Sequence, residues 1–439
     1  MDSFALNETR FVDLLRALVA VGPKLQNAPA AGLVPEERLA ADIVRHALQP
    51  AVERGFLEVE SLAAAGHEAR PSLVITVKGT AEGTIGFVGA HFDVVPADKE
   101  GEGWVHDPFA LHLDADGTLY GRGVTDCLGH VAVLTDLLVQ MSEKDARPAR
   151  TLKVVLIANE EERSKPEIGL DYVVGAGKMD ALKAGPVYWL DSADFGPTIG
   201  TAGVAQWELV VTGVPGHSGM PQNCVNALEL AMATTLAMGD HFRKAFPPHP
   251  EEARYAFLAP SSMKGTIVHA ANNKVTKIPG DVRVEGDLRL TPFYDMRAAV
   301  ENLQRFVKDL DARIERGDPP AGFPVTRTSD GRRGSIELRL RGAGTEGIAC
   351  NLDSPGLAAL TSAIGRVRGA ESVKPFSVTG SLPLVRDLQR KGFDVQITGF
   401  GRASSYHAPN EQANLAHFRE GFAILRELLA TTIPNGAST

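Results

Sequence analysis

Cysteine is scarce in this sequence: Cys127, Cys224 and Cys350 are the three in 439 residues. An odd number so widely spread builds no disulfide framework and fits a reducing compartment. No apolar run reaches the length of a membrane span. The N-terminal stretch M-D-S-F-A-L-N-E-T-R carries acids and lacks the apolar core of a secretory signal. Basic clusters are missing as well, and the formal net charge of −9 argues against nucleic acid and anionic membranes as partners. There is no internal repeat and no low-complexity segment. A soluble, cytoplasmic protein is expected.

What is present is an ordinary globular composition, 44% hydrophobic, on a chain too long for one average core. Two domains are expected. Apolar residues recur at helical spacing over Phe11–Val19 and Glu36–Leu48, and Ser72–Val77 reads as a strand. The stretch G-T-I-G-F-V-G-A-H-F-D-V-V-P, from Gly83, predicts a buried strand over Ile85–Ala90 that ends in His91 and Asp93. Residues two apart on an extended chain point the same way, so imidazole and carboxylate stand together where the strand opens. That is the usual ligand crevice of an open α/β sheet. L-Y-G-R-G-V-T-D-C-L-G-H then delivers Asp126 to the start of an apolar helix, Leu128–Met141. His106 and Asp107, in the loop W-V-H-D-P-F, are expected to make loop hydrogen bonds.

The pattern recurs. A buried strand over Leu152–Ala158 ends in Asn159-Glu160-Glu161-Glu162, and Val187–Leu190 ends in Asp191. Phe393–Gly399 leads into G-F-G-R-A-S-S-Y-H-A-P-N-E, with His407 and Glu411 before a terminal helix, Leu415–Ala430. Acidic triplets are usually solvated surface. At the mouth of an apolar strand, surface charge would be an odd choice. Adjacent residues of a strand face opposite sides, so Glu160 and Glu161 cannot share one task.

Between these segments the texture changes. The strand, helix, strand, strand, helix, strand order from Gln206 to Arg341 predicts a ferredoxin-like α+β unit. It carries His217 in a glycine-rich loop, G-H-S-G. An α/β domain with a central, mostly parallel sheet, residues 1–205 and 348–439, is thus expected to be interrupted by an inserted unit, 206–347.

His91, Asp126, Glu160, Glu161, Asp191 and His407 offer nitrogen and carboxylate ligands without thiolate, which suits zinc, with cobalt or manganese possible. That set exceeds the needs of one tetrahedral ion and suits two ions sharing a carboxylate. A further carboxylate then carries the proton from water to the leaving nitrogen. Hydrolysis of an amide or a similar bond is expected.

On the motifs H-F-D-V-V-P, G-R-G-V-T-D, N-E-E, G-H-S-G and H-A-P-N-E, in this order, the chain resembles the co-catalytic zinc amidohydrolase and peptidase family. The match runs from about Phe11 to Leu429. The resemblance implies two zinc ions per chain, one held by His91, Asp126 and Asp191, the other by Glu161, His407 and the shared Asp126. It implies that Asp93 orients His91, that Glu160 is the general base, and that His217 reaches the partner's site in a dimer joined through the inserted lid. Arg289 would clamp a substrate carboxylate, with Asn273 and Glu411 as further substrate contacts. T-D-C-L-G-H, Y-W-L-D-S-A-D, R-L-T-P-F-Y-D and A-C-N-L-D-S-P-G look most like the eukaryotic-type acetylornithine deacetylase branch.

The expected reaction is therefore deacetylation of N-acetyl-L-ornithine, a step of arginine biosynthesis. The same chemistry on acetylcitrulline, succinyl-diaminopimelate or a dipeptide is the alternative, and a non-catalytic relative that binds metal or acyl-amino acids is a more distant one. Two departures fall where substrates are held. Thr276 stands in place of the family's lid Asn, and Gly380-Ser381-Leu382 in place of a G-T-D turn.

Overall fold

A computed structural model describes residues 4–162, 167–270, 274–382 and 384–431. The chain divides into two compact units, Met1–Ile199 with Cys350–Pro375 and Leu384–Thr439, and Gly200–Ala349 with Phe376–Pro383.

The sheet of the first unit runs in the order Glu58–Leu62, Ser72–Val77, Thr151–Ile157, Thr84–His91, Pro186–Trp189, Asp394–Ile397, Thr198–Thr201. Only the centre is parallel: Thr84–His91 pairs this way with Thr151–Ile157 and Pro186–Trp189, and Pro186–Trp189 with Asp394–Ile397. Both flanks are antiparallel. The sheet is mixed, which corrects the mostly parallel expectation. Parallel neighbours need a long crossover, and Leu128–Glu143 supplies one between Thr84–His91 and Thr151–Ile157. Glu58–Leu62 and Ser72–Val77 are joined by a short link that allows only antiparallel pairing. The sequence E-V-E-S-L is polar and half-exposed, so it carried no strand signal.

The helix Leu128–Glu143 is apolar on nearly every face, and it is buried accordingly, from Leu128 through Met141 with Val139 partly so. The four central strands run the same way, so the residues that follow them emerge along one edge. These are His91 itself, the Asn159–Glu161 loop, Asp191, and the loop carrying His407.

In the second unit, four antiparallel strands run in the order Ser262–Ala270, Asp281–Leu290, Gly203–Thr212, Ser335–Thr345. Helices Ala227–Ala245 and Met296–Arg316 cover one face, where Leu209, Val211, Leu230, Phe242, Leu303 and Val307 form a core. This is the ferredoxin-like order. The unit begins at Gly200, before Gln206, because its first strand already starts at Gly203. It also gathers in Phe376–Val378, since Ser377 donates its N–H to the Ala256 carbonyl at 3.2 Å and its hydroxyl to the Tyr255 carbonyl. The helix expected over Leu382–Lys391 is confined to Val385–Arg390. Among the described residues, no helix is long and apolar enough to cross a membrane.

Candidate metal centre

His91 closes its strand fully buried. Its Nδ1 faces the Asp93 carbonyl at 2.8 Å and its Nε2 faces Asp126 Oδ1 at 2.9 Å, with Asp191 Oδ1 at 3.9 Å. The second oxygen of Asp126 meets His407 Nε2 at 3.0 Å, and Glu161 Oε2 meets the same nitrogen at 3.1 Å. Asp126 thus presents one oxygen to each imidazole. His407 reaches this position from a backbone with φ of 55°.

Asp93 does more than the resemblance implied. Its carboxylate lies 3.6 Å from His91 Nδ1, farther than its own carbonyl. The carboxylate oxygens instead accept the backbone N–H groups of Glu160 at 3.1 Å and Glu161 at 3.0 Å, and Asn27 Nδ2 at 2.8 Å. Asp93 therefore ties the His91 strand to the glutamate loop.

Glu411 requires a correction. Expected to touch substrate, it is fully buried and occupied on both oxygens. Oε1 accepts the N–H groups of Thr125 and Asp126 at 2.8 and 3.0 Å; Oε2 accepts Gly123 N–H at 3.0 Å and Arg122 Nη1 at 2.8 Å. It builds the turn that presents Asp126. The carboxylate that collects the N–H groups of this turn is thus Glu411.

The electrostatics call for cations. Burial, then the charge of Asp126, pushes both Glu161 and Asp191 up to about 7. Burial and the neighbouring Asp191 hold Glu160 well above the usual carboxylate range. Hydrogen bonds to Asp126 and Glu161 lift His407 to about 11. Four acids so close together repel one another unless protons or metal ions lie between them. Glu161 Oε1 is buried without a hydrogen-bond partner. His91, Asp126 and Glu161 bring ligand atoms within 4.8 Å of one another. Such a donor set, imidazole and carboxylate with an orphaned oxygen among them, fits divalent zinc, cobalt or manganese.

Cys127 lies fully buried beside His91 and Asp191. Its Sγ is 3.4 Å from His130 Nδ1. The other nitrogen of that ring accepts the Phe400 N–H at 2.8 Å, so the proton of the neutral ring sits on Nδ1. Burial holds His130 down to about 4.

In the second unit, His217 is exposed, and its strand residue pairs with Lys277. Its Nδ1 accepts the Gly219 N–H at 3.0 Å, which leaves Nε2 carrying the proton of the neutral ring. The helix Ala227–Ala245 is capped by Asn226, whose side chain accepts the Leu228 N–H. Arg289 pairs with Asp287 at 2.8 Å and is partly exposed. Asn273 lies outside the described residues, whereas the Thr276 carbonyl accepts the Ser218 N–H at 3.0 Å. Asp107 caps its own loop through the Phe109 N–H at 2.9 Å, as expected, while His106 stacks on His112.

Sequence reasoning passed over Asn27, Glu37, Arg70 and Arg122. Each is polar and nearly fully buried; Asn27, Glu37 and Arg70 stand apart from the motifs in sequence, and Arg122 lies within G-R-G-V-T-D, where it reads as part of a glycine-flanked loop.

Residues 87–431 match the model of peptidase family M20/M25/M40. The chain is 42% identical to an acetylornithine deacetylase of Dictyostelium discoideum over 96% of both proteins. It is 40% identical to an acetylornithine deacetylase of Arabidopsis thaliana, covering 97% of this chain and 96% of that one. Human carnosine dipeptidase 1 shares the fold with a TM-score of 0.67, at 21% identity over 96% of this chain and 95% of its own.

Proposed function

The chain belongs to peptidase family M20/M25/M40, metal-dependent hydrolases, and from that premise we propose that it cleaves N-acetyl-L-ornithine to L-ornithine and acetate. The observation that carries the chemistry is Asp126, with one oxygen toward His91 and the other toward His407. A carboxylate so placed suits a bridge between two ions. In this reading His91, Asp126 and Asp191 would hold one zinc, and Asp126, Glu161 and His407 the other, with cobalt or manganese as substitutes. When bound, the metal supplies a polarised acyl carbonyl and an acidified water.

The protein's own groups do the rest. Glu160 takes the proton of the attacking water on a carboxylate oxygen and hands it to the leaving α-nitrogen, which departs as the amine. The nearly complete burial of Glu160 keeps its proton from leaking to solvent. Asp93 and Glu411 fix the loops that carry Glu160, Glu161 and Asp126. His217 supplies Nε2–H to the oxyanion, and Arg289 binds the substrate carboxylate. Acetylornithine is the substrate favoured by the near full-length similarity to two acetylornithine deacetylases.

We further propose a homodimer through the second unit. Leu228, Met232 and Leu236 form an exposed apolar stripe on the helix Ala227–Ala245, and Ile267 and Val268 stand exposed on the edge strand Ser262–Ala270. Exposed apolar stripes and unpaired strand edges are surfaces that a second copy covers.

The test is a comparison of kcat/KM for acetylornithine, acetylcitrulline, succinyl-diaminopimelate and Gly-X dipeptides, alongside metal analysis and sedimentation. Acetylornithine is expected to lead, with activity lost on chelation and restored by zinc or cobalt. Metal-loaded protein that releases no acetate refutes the substrate assignment, and active enzyme with less than one ion per chain refutes the paired centre.

A further inference from the structure

Behind the glutamate loop lies a buried ion pair. Glu37 precedes the helix Arg38–Glu53 and Arg70 precedes the strand Ser72–Val77; their side chains are 0% and 5% exposed. Arg70 Nε donates to both Glu37 oxygens, at 3.1 and 2.9 Å, and Nη2 donates to Oε1 at 2.6 Å. Burying two charges is costly, and for stability alone apolar residues serve as well or better.

Both members reach Asn159. Arg70 Nη2 donates to Asn159 Oδ1 at 3.0 Å, and Glu37 Oε1 accepts the Asn159 backbone N–H at 3.2 Å. Asn27 Nδ2 donates to the same Oδ1 at 3.3 Å and to Asp93 Oδ2 at 2.8 Å. Asn159 has φ of 59°, the left-handed region that Asn tolerates better than most residues. At this bend the strand Thr151–Ile157 gives way to Glu160 and Glu161, whose N–H groups are held by Asp93.

We propose that the Glu37–Arg70 pair is a positioning device for the reaction. It clamps Asn159 from the side chain and the backbone at once, fixes the left-handed bend, and so keeps Glu160 and Glu161 on separate duties, one for the proton and one for the metal. Asn27 couples this clamp to Asp93, so the bend and the His91 strand move as one body. The inference rests on the roles given to the two glutamates above.

The double variant Glu37→Leu/Arg70→Met separates positioning from support. Arg70→Met alone strands a buried carboxylate and should lower the urea midpoint; the double variant removes both charges and should recover it. If the pair positions the glutamates, the recovered double variant still loses ~10–100-fold in kcat and in affinity for the second cobalt ion, with KM unchanged. A double variant that regains kcat and cobalt affinity together with stability overturns the proposal. Asn159→Gly decides the matter if the double variant does not fold, because glycine keeps the bend accessible but removes Oδ1. It should show the same loss of kcat and cobalt affinity, and wild-type values in both would equally overturn the clamp. The cobalt titration needs no substrate, so it judges the clamp even if wild-type protein releases no acetate from acetylornithine.

Discussion

Glu411 Oε1 accepts the backbone N–H of Asp126 at 3.0 Å, across 285 positions of sequence. The carboxylate that presents Asp126 is thus the last residue of the His407 motif, H-A-P-N-E. One loop carries His407 and also shapes the turn from which Asp126 projects. Glu411→Gln leaves Arg122 buried without its charge partner. Removing one member of a buried pair costs about 3–5 kcal/mol, so this variant should unfold at markedly lower urea and bind metal more weakly. Had Glu411 contacted substrate, KM would rise with stability unchanged. Urea titration beside steady-state kinetics distinguishes the two.

Glu160 and Glu161 are neighbours with different surroundings, and their variants should differ in kind. Glu160→Gln should keep both metals and lose most of the rate, ~100–10,000-fold for a missing general base. Glu161→Gln should release one metal, since its carboxylate stands against His407 at 3.1 Å. Metal content measured on both variants, with kcat, decides it. Interchanged phenotypes would reverse the assignment.

His130 gives a pH signature that belongs to no ligand. Burial lowers its folded value to about 4, below the ordinary value for a histidine in the unfolded chain. Between about 6.5 and 4 the unfolded chain therefore binds the extra proton, and stability falls as pH drops through that window. In metal-free protein, urea midpoints of wild type should decline over this range more steeply than those of His130→Gln. Parallel declines would mean that His130 is not held neutral by the fold.

His217 presents Nε2–H once Nδ1 is occupied by the Gly219 N–H. We expect His217→Ala to be folded and metal-loaded but ~100–1,000-fold slower, the usual cost of a lost oxyanion donor. Mixing it with Glu160→Gln under subunit exchange should restore part of the activity, because one site of the mixed dimer then holds both groups intact. Confirmed heterodimers without rescue would place the histidine's action within its own subunit or make it structural.

By itself the sequence determined the elements whose chemistry is local. Apolar strands that stop abruptly at His91, at Glu160 and Glu161, and at Asp191 announce a site, because an apolar run predicts burial and a titratable end predicts use. The period of the inserted segment likewise announces a βαββαβ unit, for side-chain alternation and helical spacing are written residue by residue. Only the tertiary structure decided what the remaining polar residues do. Glu411 and Asp93 end strands or motifs just as Asp191 and Glu161 do, and nothing local tells a carboxylate that collects backbone N–H groups from one placed to face a cation. Glu37 and Arg70 carry no motif, since they stand 33 residues apart and lie 122 and 89 residues from Asn159. The antiparallel flanks were hidden for a similar reason: E-V-E-S-L becomes a strand because Ser72–Val77 offers it an edge, and backbone pairing of that kind depends on what lies alongside.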